Sequence, residues 1–431
     1  MHNALSPATE ETAISREASM PWADPGGAPP SPIGADQATF GEVFAVEEFR
    51  SLWISQVLSV VGDQLARVAL TLLVFDRTGS SLLAAITFAA SVVPTFVGGI
   101  ALSGLADRWP RRRVMIVCDL GRALLVGIMA LPGVPIAGLV VLLFLVTLIS
   151  APFTSARAAL YPDILAGDRY VVGTAITLTT LQFAQALGFV AGGAVVGLFG
   201  VRTSLLVDAA TFILSALIIR IWVQARPAAK AVPHPEPQRH RGSLRAIRLT
   251  LTDPALRTPM LFGWLAAFYN MPEGVSAPLA ASLGGGAVAV GLILAAPAFG
   301  ASMGAIAFSR LVAPARRVRW TGPLAVTACG ILIVFVLHPP LPATLAILVL
   351  SGVFDCYQVA ANASFVLAAP RQYRSSVFGV AQAGMSLGQG AAIIAAGAAA
   401  QGHSPSDVIA ASGAIGALCG LVIIASHRRD R

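Results

Sequence analysis

The feature that most constrains this chain is the recurrence of apolar stretches as long as a bilayer is thick. A hydrocarbon core takes about 20 residues of helix per crossing. Stretches of that length recur near 52–75, 82–106, 113–132, 136–157, 171–198 and 202–223, and again near 259–281, 287–311, 319–338, 342–368, 375–400 and 406–426. Turn-forming or charged residues separate them, among them Asp76-Arg77-Thr78-Gly79, Arg111 to Arg113, Pro132-Gly133, Gly167-Asp168-Arg169 and Gly200. Only 12% of the 431 residues are charged, against about 25% in a soluble domain. A water-soluble enzyme is therefore excluded, and an all-α integral membrane protein of twelve spans is expected.

Twelve spans also account for the charge. The chain carries 29 basic and 21 acidic residues, a formal net charge of +8. With the N-terminus inside, about 25 of the 29 basic residues fall on the cytoplasmic side, two outside (Arg77 and Arg202) and two within spans (Arg67 and Arg122). Moving the count by one span would reverse that bias, so both termini are expected in the cytoplasm of a multi-pass cell-membrane protein. The excess expresses topology and not nucleic-acid binding, because the arginines are scattered between spans without stacking aromatics. The only lysine, Lys230, follows Pro227, Ala228 and Ala229, so no phosphate-binding loop of the G-x-x-x-x-G-K-[ST] kind exists and nucleotide-driven transport within this chain is excluded.

Residues 1–48 read as a polar tail, rich in Pro, Ala, Gly and Ser and without the apolar core of a signal peptide. Within it Phe40, Val43 and Phe44 continue to Phe49 as a loose helical stripe suited to a short interfacial helix. Residues 49–223 form a first six-span unit, 224–258 a Pro- and Arg-rich cytoplasmic linker, 259–426 a second six-span unit and 427–431 a basic end. The two units repeat each other. Gly98-Gly99-Ile100-Ala101-Leu102-Ser103 corresponds to Gly304-Ala305-Ile306-Ala307-Phe308-Ser309 at an offset of about 206 residues, and near that offset Phe49-Arg50 faces Leu256-Arg257. Such duplication is the sequence mark of transporters built from paired helical bundles.

The loop after the second span, Gly104-Leu105-Ala106-Asp107-Arg108-Trp109-Pro110-Arg111-Arg112-Arg113, resembles the signature loop of the major facilitator superfamily, with Pro110 standing where that pattern has its second glycine. Gly62-Asp63, Asp119-Leu120-Gly121-Arg122 and Arg157-Ala158-Ala159-Leu160-Tyr161-Pro162-Asp163 resemble the branch that contains siderophore exporters and macrolide efflux pumps. Independently of any family, Asp107 at a helix end among arginines can accept charge-assisted hydrogen bonds or face the positive end of another helix. The resemblance implies that this helix is span 11, making Gly104, Asp107, Arg108, Arg111 and Arg112, with Asp119 and Arg122, a latch of the outward-open state. The alternative is that Arg111 and Arg112 only set orientation.

A charge at the bilayer centre costs at least about 2.5–3.5 kcal/mol, so intramembrane ionisable groups are functional candidates by default. Asp63 lies about 12 residues into its span, roughly 18 Å deep. Arg67 stands one turn further on the same face, either as a structural partner or as one half of a pair that opens on protonation or substrate binding. Asp355, Tyr357 and Gln358 place an acid, an aromatic and an amide in one region of span 10. Glu273 follows Asn270 and the helix-breaking Pro272 in span 7, where it either lines a cavity or reaches the outer interface. Asp119 with Arg122 reads as a local or latch pair, and Asp208 as an acid that caps or pairs locally.

No histidine lies in the interior of a span, and Cys118, Cys329, Cys356 and Cys419 show no metal-ligand spacing. No metal, cofactor or nucleophile–base constellation is expected, and so no enzyme. The expected protein is a monomeric secondary transporter, moving a small-molecule substrate such as a drug, antibiotic or siderophore outward across the lipid bilayer in exchange for protons. The alternatives are an importer or lysolipid transporter of the same fold, or a receptor or scaffold that does not transport.

Overall fold

The computed structural model of the chain describes residues 38–94, 98, 109–226, 247–370 and 374–429. All regular structure among these residues is helical. The helices are α1 (Phe40–Ala45), α2 (Glu47–Thr78), α3 (Ser81–Ala89), α4 (Arg111–Met129), α5 (Ile136–Ile164) and α6 (Asp168–Trp222). A second series comprises α7 (Pro254–Trp264), α8 (Ala266–Tyr269), α9 (Met271–Gly274), α10 (Ser276–Ser282), α11 (Ala287–Leu311), α12 (Pro314–Gly330), α13 (Leu341–Phe354), α14 (Tyr357–Ala368), α15 (Arg374–Ala399) and α16 (Pro405–Arg429), with a 3₁₀ turn at Ile331–Leu337. Eight helical segments among the described residues are long and apolar enough to cross a membrane. One of them, α6, is two helices joined at Gly200, whose φ of 82° a side chain would strain.

The remaining expected spans fall short of that criterion for visible reasons. The second span is described only from α3 into the following turn. In the third, α4 begins with three arginines and carries Asp119 and Arg122. Span 7 is divided into α7, α8, α9 and α10, with Pro259, Pro272 and Pro278 interrupting the hydrogen-bond ladder. Lys230 and most of the linker lie outside the described residues. Helix resumes at residue 247, ahead of the expected boundary at 259, and Asp253 caps α7 by accepting a hydrogen bond from the Ala255 backbone N–H.

The short helix expected from Phe40 is present as α1, and it docks on protein. Val43 is buried, and the Phe44 ring meets Phe49 and Trp53 edge-on at 5.8 and 5.2 Å. Glu48 takes two hydrogen bonds from Arg226, at 3.1 and 2.6 Å, so the start of α2 is tied to the chain leaving α6. That carboxylate also raises the Arg226 guanidinium further above its already high value.

The two series of helices meet mainly at the end of the bundle away from the chain termini. There α6 packs on α11 and α3 on α15. A Cβ on Gly193 would lie 3.0 Å from the Gly291 Cα and 2.7 Å from the Ala287 carbonyl, so these two backbones touch only because neither residue has a side chain. Gly397 lies similarly against Ser81 and Leu82, and Gln401 donates a hydrogen bond to the Ser80 hydroxyl at 3.1 Å. This end of the molecule is closed.

Candidate functional site

In the first unit, three helices each turn a charged face inward. The spacing of Asp63 and Arg67 puts both on one side of α2; Asp119 and Arg122 do the same on α4, and Asp208, Phe212 and Ser215 on the second part of α6. Arg122 is the hub. Its Nη2 donates to Asp63 Oδ1 at 2.6 Å, its Nη1 lies 3.7 Å from Asp119 Oδ1, and its guanidinium sits 3.9 Å from the centre of the Phe212 ring. Arg122 is 3% exposed and Asp63 29% at their side chains, so the pair has one dry and one partly wet end. The Ser215 hydroxyl donates to Asp119 Oδ2 at 2.6 Å.

Arg67 is not the direct partner of Asp63. Its guanidinium donates to Gln64 Oε1 and to the Ser91 carbonyl, both at 3.2 Å, while it acts on Asp63 and on Glu273 through space. Asp63, Arg67, Ser91, Arg122, Thr147 and Asp208 help to enclose a cavity of about 50 Å³. That volume holds a water molecule or two.

The second unit builds a different site, rich in hydroxyls and carrying one acid. The helix breaks between α13 and α14 at Asp355 and Cys356, which presents the Asp355 carboxylate beside the buried Tyr269 of α8. Tyr269 donates its hydroxyl to Asp355 Oδ1. Gln358 donates to the Tyr269 oxygen at 3.0 Å and to the Gly263 carbonyl at 3.1 Å. Tyr357 donates to the Phe262 carbonyl at 3.0 Å and packs edge-on against Tyr269 at 6.4 Å. No basic side chain pairs with Asp355 among the described residues.

Glu273 sits half-buried in α9, and its carboxylate accepts no hydrogen bond among the described residues, although Arg67 acts on it from the other unit. Asn270 ends α8, also half-buried. Of the expected latch, Gly104, Asp107 and Arg108 lie outside the described residues. Arg111 pairs with Asp163 at 2.5 Å and donates to the Ala159 carbonyl at 2.8 Å, while Arg112 donates to the Arg220 carbonyl. Both arginines thus reach α5 and α6 of their own unit. Asp119 and Arg122 lie in the charged cluster with Asp63.

Paired helical units, closed against each other at one end and each holding a polar site among apolar helices, have the architecture of a transporter. The family model of the Major Facilitator Superfamily matches residues 52–273, just over half of the chain. The chain belongs to the major facilitator superfamily. The chain is 27% identical over 278 residues to the enterobactin exporter EntS of Citrobacter koseri and 26% identical over 283 residues to that of Escherichia coli. The matches cover 61% and 62% of this chain and only 63% and 64% of those relatives. Among solved structures, a POT family transporter in complex with 5-aminolevulinic acid superposes with a TM-score of 0.73 at 9% identity, covering 91% of this chain and 98% of that one. An inward-facing, unoccupied bacterial homologue of the human lysosomal transporter Spinster gives 0.67 at 15% identity, covering 91% and 99%. These likenesses are of fold.

On sequence Asp208 reads only as an acid that caps or pairs locally and Tyr269 carries no site role, yet both belong to the polar sites. Asp208 shares the cavity with Asp63, and Tyr269 is the hydrogen-bond partner of Asp355. The signal for the first was available: Asp208, Phe212 and Ser215 recur at helical spacing on a face opposite Gly62. Nothing local pointed to the second, because Tyr269 and Asp355 are 86 residues apart.

Proposed function

We propose that this protein is a proton-coupled exporter of a moderately hydrophobic small molecule, of the drug, antibiotic or siderophore kind, working by alternating access as a monomer with both termini in the cytoplasm. The observation that carries the reading is the Asp63–Arg122 pair, an ion pair at membrane depth with a buried base and a partly exposed acid. A substrate or a proton reaching Asp63 competes with Arg122 for the same carboxylate. Asp355 supplies the second unit with an acid held only by neutral donors. The likeness to siderophore exporters supports outward movement, and the contacts at the far end fit the inward-open stage of the cycle. Gly104, Asp107, Arg108, Arg111 and Arg112 are assigned to the opposite gate.

The test is uphill export of enterobactin, and of ethidium as an unrelated cation, from proteoliposomes with an imposed pH gradient. Wild-type protein exports at least one of them only with the gradient, and a protonophore abolishes it. Asp63→Asn and Asp355→Asn retain substrate binding and lose uphill export. Gradient-driven export that survives in both variants removes Asp63 and Asp355 as the proton carriers, and wild-type export that ignores the gradient removes the proton-coupled reading.

A further inference from the structure

Asp208 is fully buried in the second part of α6 and lines the small cavity. The three carboxylates of the cluster are served unequally. Asp63 receives the Arg122 guanidinium at 2.6 Å, and Asp119 receives the Ser215 hydroxyl at 2.6 Å with Arg122 at 3.7 Å. Asp208 receives little: the Thr211 hydroxyl donates to the Asp208 backbone carbonyl at 2.7 Å and stands 3.5 Å from Oδ1, while Oδ2 has no partner. A buried anion without donors is among the most expensive groups in a protein, and a neutral carboxyl is the form such a site tolerates.

The charges facing Asp208 give the same answer by count. From α2 come Asp63 and Arg67, and from α4 Asp119 and Arg122, so three acids meet two bases. Adding the groups that act on these through space, Arg157 of α5 and Glu273 of α9, makes four acids and three bases. Either way one positive charge is missing. We infer that Asp208 is a proton-binding site of the first unit, holding a proton on its unpartnered oxygen in this conformation.

The surroundings give that proton a route and an effect. Asp208 lines a cavity large enough for water, which accepts the proton when the carboxyl ionises to carboxylate. Arg122 already stacks on Phe212, one helical turn from Asp208, and its charge interacts through space with Asp208 as well as with Asp63. Loss of the proton adds a third claimant for Arg122, after Asp63 and Asp119, and weakens its hold on Asp63. The α2 backbone feels the change directly, since a Cβ at Gly62 would overlap both Asp208 Oδ1 and Thr211 Oγ1. The consequence for transport rests on the proton-coupled reading above; the occupancy of Asp208 does not.

Infrared difference spectroscopy of the full chain in lipid nanodiscs, titrated from acid to alkaline pH without substrate, tests the occupancy. A protonated-carboxyl stretching band present in wild type is lost in Asp208→Asn, retained in Asp63→Asn and Asp119→Asn, and displaced in Asp208→Glu. A spectrum unchanged in Asp208→Asn overturns the inference. Should that variant not fold, Asp208→Glu and Thr211→Val decide: a band that moves in both supports the site, and a band that moves in neither overturns it. Loss of the band in Asp208→Asn together with wild-type enterobactin export that ignores the pH gradient would leave the proton site standing and remove the proton-coupled reading alone.

Discussion

Arg122 makes the first unit's stability depend on its acids. Removing one partner of a buried ion pair leaves an uncompensated charge, typically at a cost of about 3–5 kcal/mol. Asp63→Ala is therefore expected to destabilise the protein by roughly that amount, less a discount for the exposed end of the pair, and Asp63→Asn by less because the amide oxygen still accepts from Arg122. Thermal unfolding in detergent, followed by tryptophan fluorescence, orders the two. Ser215→Ala strips the hydroxyl from the fully buried Asp119 and should cost about 1–3 kcal/mol in the same assay. At this scale the sequence was half legible. Asp63, Asp119 and Arg122 stand out because charges are rare in apolar spans. That Asp63 joins Arg122 and not Arg67 follows from α2 and α4 both packing on α6, which helical spacing along one helix does not contain.

Elements explain where the helices bend and where the two units close on each other. The prolines and Gly274 that divide α7 to α10, and the interruption at Asp355 between α13 and α14, free backbone groups beside the Tyr269–Asp355–Gln358 site. The first break was visible as Pro272-Glu273-Gly274. The second carries no proline or glycine of its own, and only the structure reveals it. Closure depends on glycines, for Gly193 and Gly291 allow α6 and α11 to touch. Gly193→Leu should force these helices apart and depopulate the closed far end. Cysteines introduced in place of Ser80 and Gln401, whose side chains meet at 3.1 Å across the units, report this in a background with the four native cysteines replaced by alanine. Rapid crosslinking is expected while Gly193 is kept, and a several-fold slower reaction once Gly193→Leu is added; equal rates would show that the contact does not control closure.

For the whole molecule, the proposed proton coupling has a thermodynamic ceiling. One pH unit is worth about 1.36 kcal/mol per proton. At zero membrane potential, exchange of one proton per substrate therefore sustains at most about a tenfold substrate gradient per pH unit, and two protons about a hundredfold. Measuring the limiting enterobactin gradient in proteoliposomes at several imposed pH differences, with the membrane potential clamped, gives the stoichiometry from the slope. A slope of zero would exclude proton coupling. The sequence by itself determined that this chain is helical, membrane-spanning and duplicated, because apolar length, charge placement and internal repeat are linear properties that the bilayer reads directly. It also marked the rare buried charges. Only the tertiary structure decided which of them meet, that one oxygen of Asp208 is left without a donor and that Tyr269 serves Asp355. Those partnerships join residues far apart in the chain, and they exist only once helices with no sequence contact pack within a few ångströms of one another.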